Sequence, residues 1–155
     1  MDAVDNVIWV LPVLAVLDVM STVYVESLGY ALTTYEGGFF ASFFVHAGLI
    51  YVYAVVYVLV VVGIAYVFWV IKNRVLDPSK ALDKVFFVAV VIASCYAYVT
   101  LTATFIGNLF LPHVIHRGIN MSSVTGIICL GAILSLVFYI RGDVSLWLRS
   151  SSRNG

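Results

Sequence analysis

Residues 52–71 read VYAVVYVLVVVGIAYVFWVI, an unbroken run with no charge, no amide and no proline. A strand long enough to hold it would alternate apolar and polar positions and would far exceed the roughly 9–11 residues of a membrane barrel strand. As a helix, the run rises about 1.5 Å per residue and covers roughly 30 Å, the hydrocarbon thickness of a bilayer. It is apolar on every side, so no face is marked for water.

The rest of the chain has the same character. Its 155 residues are 63% hydrophobic and 10% charged, with mean hydropathy +1.09, against about 25% charged residues in a soluble domain. Positions 37–71, 85–116 and 118–140 hold no charged side chain. The expected fold is therefore all-α, a polytopic integral membrane protein of four transmembrane helices. The spans are placed at about 7–25, 44–71, 85–111 and 124–140 of a single domain 1–149, with 150–155 a flexible tail. A formal net charge of 0 without a basic patch excludes a nucleic-acid module. Cys95 and Cys129 fall inside apolar runs with no C-x-x-C, which excludes a disulfide scaffold.

Punctuation sets the boundaries. Gly37-Gly38 precedes the second helix, which is expected to begin near His46, with Phe39–Phe44 either part of a tilted span or interfacial. Asp77-Pro78-Ser79 is read as a turn with Ser79 capping the third helix, and Pro112 as its end. Lys72, Arg74, Lys80, Lys84, Arg141, Arg149 and Arg153 fall on one side and Arg117 alone on the other. The positive-inside rule then puts both termini in the cytoplasm and Trp9, Trp69 and Trp147 at the cytoplasmic interface. The acidic start, Asp2 and Asp5, lacks the basic region of a signal peptide. No Lys or Arg is expected to be buried.

Asp18 is the residue that should not be there. It lies about 16 Å into the first span, where an acid costs on the order of 3 kcal/mol unless it is paired, protonated or wet. Ser21 and Thr22 follow it, and Glu26 continues the stripe one turn later. In the third span Thr100, Thr104 and Asn108 repeat every four residues. Both helices run outward, so Thr104 and Asn108 fall at the depth of Thr22 and Glu26, and the two stripes are expected to face each other. Packing glue is the plain alternative for both. Glu36, His46, His113 and His116 also fall on the outer half. His113-x-x-His116 is read as a loop pair after Pro112, and a b-type haem between His46 and His113 would need two facing helical histidines. The candidate ligand or proton site is therefore Asp18, Thr22, Glu36, His46, Thr104 and Asn108, with no metal site and no cofactor expected.

The D-x-x-x-T of Asp18–Thr22, the acid Glu36 before Gly37-Gly38, the basic-type His46 and the late Asn108 resemble a family of small, largely archaeal membrane proteins grouped as a domain of unknown function. The resemblance covers about residues 11–111, lacks the Asn-Pro of that family's loop and leaves the fourth helix unmatched. It implies that Asp18, Glu36, His46 and Asn108 act as a set and implies no activity. Three function classes follow. First is an accessory or assembly subunit of a larger membrane complex. Second is binding or transport of an ion, proton or small solute through the outward polar cluster. An intramembrane enzyme using Asp18 and His46 comes last, for want of a nucleophile or a metal set. The expected partners are lipid and either other membrane subunits or further copies of the chain.

Overall fold

A computed structural model describes residues 2–28, 47–117 and 121–149, with side chains for 2–28, 47–110 and 125–149. Every regular element among these residues is a helix. α1 spans Ala3–Ser27, α2 Ile50–Val70 with a π-helical turn Ile71–Val75 at its end, α3 Ala81–Arg117 and α4 Met121–Arg149. All four are long and apolar enough to cross a membrane.

Each helix differs from its expected span for a physical reason. α2 begins at Ile50, not near residue 44, because residues 47–48 form a turn in which Gly48 takes φ +70°, a conformation that favours glycine. Residues 29–46, including Phe39–Phe44 and the site candidates Glu36 and His46, lie outside the described residues. Ser79 does not cap α3. Its N–H and hydroxyl both donate to Asp77 Oδ1, at 2.9 and 2.7 Å, and the helix starts two residues later at Ala81. Pro112 does not end α3, which continues to Arg117 and turns His113 and His116 from loop into helix. An internal proline removes one N–H, and an apolar helix in a bundle tolerates that loss. α4 runs on past residue 140 to Arg149, so Arg141 and Arg149 are helical and not part of a tail. Pro12 lies inside an unbroken α1.

The bundle is built on α1 and α3, which share the most extensive interface. They run parallel: Phe87 and Val90 pack in one cluster with Val4 and Ile8, Leu101 packs with Leu11 and Ala15, and Asn108 reaches Ser21 and Thr22. α2 packs antiparallel on α1, with Trp69 beside Trp9 and Tyr57 beside Asp18. α4 packs antiparallel on α3, where Trp147 stacks on Phe87 at 3.9 Å and Leu148 O accepts from Lys84 Nζ at 2.9 Å. The start of α1, the end of α2, the start of α3 and the end of α4 therefore lie together, and the three tryptophans with them. α2 is the least covered helix. Only Ile50 and Ala65 are buried in it, while Tyr51, Val55 and Leu59 are 70%, 62% and 63% exposed.

Candidate functional site

The site grows out of helical spacing. Ser21 and Thr22 sit three and four residues after Asp18, so their hydroxyls fold back to donate to the Asp18 carbonyl, at 2.7 and 3.0 Å. Their protons are then committed, and their oxygens are left as acceptors for Asn108 Nδ2, which donates to Ser21 Oγ at 3.1 Å and Thr22 Oγ1 at 3.2 Å. One turn nearer the charged end, the Asp18 carboxylate meets α2 and α3 together. Tyr57 Oη donates to Asp18 Oδ2 at 3.3 Å, and the Thr104 hydroxyl lies close enough to interact with the same carboxyl. Thr104 Oγ1 also lies 3.0 Å from Thr100 O and 3.1 Å from Leu101 O. Its single proton must therefore choose between its own backbone and the acid.

The side chain of Asp18 is half-buried, and Thr104 is exposed. α2 and α3 touch little, so the carboxylate lies in a cleft whose floor is α1 and whose walls supply Tyr57 and Thr104. Every ligand-capable atom facing Asp18 in these contacts is a neutral oxygen. Among the described residues no three His, Cys, Asp or Glu side chains gather in a way that could hold a metal ion.

Four of the six candidate residues, Asp18, Thr22, Thr104 and Asn108, thus meet in one network. Glu36 and His46 are outside the described residues, as are the side chains of His113 and His116. Glu26 does not extend the network. It is exposed and borders a separate hollow with Ser27, Gly48 and Tyr51. Thr100 turns its hydroxyl back to Tyr96 O and Ala97 O, at 2.9 and 3.0 Å, and stays within α3. Tyr57 was not among the candidates, although it and Tyr53 repeat at four-residue spacing and stack at 5.6 Å. The spacing was readable, but the depth was not, because it depends on where α2 begins.

A second polar cluster corrects the expectation that no Lys or Arg is buried. Lys72 is 4% exposed, in the π turn at the end of α2. Its Nζ donates to Asp2 Oδ2 at 2.6 Å and Asp5 Oδ1 at 2.8 Å. Asn73 Nδ2 joins Asp5 Oδ1 at 2.9 Å and reaches back to Trp69 O at 3.1 Å. Asp2 is also the N-cap of α1, accepting from Asp5 N at 2.8 Å, and Asp143 of α4 accepts from Ala3 N. The signal was present in the sequence: two acids three residues apart at one helix start, and a lysine at the helix end expected beside it. Comparison of the chain with family models, with curated proteins and with solved structures found no match.

Proposed function

We propose that the chain is a polytopic integral membrane protein with cytoplasmic termini, in which the Asp18 network binds a proton or a small cation within the bilayer. Support for membrane insertion comes from four helices of spanning length and from the bare apolar face of α2, larger than a water-facing surface normally shows. Support for the orientation comes from Lys72, Arg74, Lys80, Lys84, Arg141 and Arg149, which all belong to one end of the bundle.

The observation that carries the binding reading is Asp18 flanked by Tyr57 and Thr104 with no cation in the set. An ionised Asp18 is served by two hydroxyl donors. A protonated Asp18 can donate to Thr104 Oγ1, whose own proton turns to the Thr100 or Leu101 carbonyl. The network therefore accommodates either charge state with a local hydroxyl rotation, and hard oxygen ligands suit an alkali cation equally. Asp18, Thr22 and Asn108, which belong to two of the four elements quoted for the family resemblance, meet here, which favours reading them as a set.

The test is infrared titration of the protein reconstituted in vesicles. A carboxyl band that responds to pH or to sodium and disappears in Asp18→Asn is the expected result. A parent protein with no such band, together with an Asp18→Leu variant that is more stable than the parent, defeats the reading. A second reading, the accessory subunit, is favoured by the uncovered face of α2. Purification in mild detergent separates the two: stoichiometric co-purifying chains support the subunit, and an isolated chain or self-oligomer supports the binding protein. Reporter fusions at Gly155 and within residues 73–79 should both give the cytoplasmic signal.

A further inference from the structure

On the side of the bundle away from α2, where α1 and α4 only graze each other over α3, lies a cavity of about 370 Å³. That is within the ordinary size of a small-molecule site, about 300–1,000 Å³. Its lining is amphipathic. Val10 and Leu136 form apolar wall, and Asn6, Tyr98, Ser135 and Tyr139 bring an amide, two phenols and a hydroxyl.

Asn6 Nδ2 donates to Tyr139 Oη at 2.9 Å across the rim, joining α1 to α4. Ser135 is committed to Gly131 O at 2.9 Å. That leaves the Asn6 side-chain carbonyl and the Tyr98 hydroxyl without a hydrogen bond to any described residue. An acceptor and a donor left open beside apolar walls offer hydrogen bonds to a polar group that enters the cavity. No charged side chain lines the cavity, and Asp5, the chain neighbour of Asn6, is paired with Lys72. A phosphate or carboxylate head would find no cation there.

We propose that this cavity is a lateral binding site for a neutral amphiphile, a hydrocarbon body carrying a hydroxyl or carbonyl head. The head meets Asn6, Tyr98 and Tyr139, and the body lies along Val10 and Leu136 toward the bilayer. The site is separate from the Asp18 cleft and does not depend on it. The molecule supplies its own control. A groove of similar size, about 390 Å³, lies between α3 and α4 along Ile92, Cys95 and Val137, and its lining is almost wholly apolar. It can hold hydrocarbon but is poorly equipped to orient a head.

The experiment uses the full chain in phosphatidylcholine vesicles with a diazirine-bearing long-chain alcohol, photolysed and mapped by peptide mass spectrometry. Saturable labelling is expected on the segments around residues 6–10 and 135–139, competed by unlabelled dodecanol. Tyr98→Phe removes one oxygen without changing shape and should weaken labelling there about five-fold, the value of roughly one hydrogen bond of 1 kcal/mol. Labelling at Ile92 and Cys95 should not change. The matching diazirine fatty acid, carrying a carboxylate, should label the cavity more weakly than the alcohol. Equal labelling of the two grooves, indifference to Tyr98→Phe, or equal labelling by acid and alcohol each overturns the proposal. Asn6→Leu is a second variant, and because it breaks the contact with Tyr139 its labelling is compared only after its thermal midpoint has matched the parent.

Discussion

Lys72 and Asp18 are both ionisable groups drawn into an apolar bundle, and the fold treats them in opposite ways. Lys72 sits at a helix end, where α1 and α2 converge, and is surrounded by formal charge: two carboxylates within 2.8 Å, with its own side chain 2% exposed. Asp18 sits in mid-helix and, among the described residues, its carboxylate is met by hydroxyls, that of Tyr57 at 3.3 Å. The difference teaches that in this bundle opposite charges meet where helix ends converge, whereas the mid-helix acid is met by neutral hydroxyls.

The sharpest way to break this comparison is at Lys72. Lys72→Met leaves Asp5 buried without its cation and should cost about 3 kcal/mol or more, read as a large fall in the thermal midpoint in mild detergent. Combining it with Asp5→Leu should recover much of the loss. A Lys72→Met protein as stable as the parent would mean that the ion pair fastens nothing. Smaller effects are expected in the other network, where hydrogen bonds between apolar helices are worth about 0.6–1.7 kcal/mol. Asn108→Leu should cost about 1 kcal/mol, and a double-mutant cycle with Thr22→Val should show coupling. Additive losses would mean that the α1 and α3 stripes face each other without acting together.

The smallest effect is expected at the exposed turn before α3. The Ser79 hydroxyl, with the Ser79 N–H second, holds the Asp77 carboxyl below the ordinary value of about 3.9. A lowered folded-state value stabilises above the unfolded pKa, and that contribution is lost as pH falls through the folded one. Asp77→Asn should therefore be slightly less stable than the parent near neutrality, and the two should converge as pH falls below about 4. A stability difference that does not shrink toward acid pH would contradict the assignment.

Much of this was legible in the sequence because long, wholly apolar helices have few ways to be written. The run at 52–71 and the charge-free stretches around it gave the helices, and four-residue spacing gave the facing stripes of Asp18 with Thr22 and of Thr104 with Asn108. The ends were less legible. A hydropathy count stops where charge begins, but a helix does not: α4 runs past residue 140 to Arg149, and α2 continues through Lys72 in its π turn. Pro112 was read as a stop because its missing N–H is a local fact, whereas the bundle that tolerates it is not. Tyr57 escaped because its partner is set by helix depth, which no single segment encodes.

The parallel pairing of α1 with α3 has a consequence for how the chain is made. α1 is synthesised before either helix that completes it: Asp2 and Asp5 wait for Lys72, and Ser21 and Thr22 wait for Asn108, some 86 or 87 residues later. Until α2 follows, it carries an unanswered acid at mid-length, and until α3 follows, an apolar face meant for a helix not yet translated. The contacts that close the bundle on α1 therefore form only after α2 and α3 have been made.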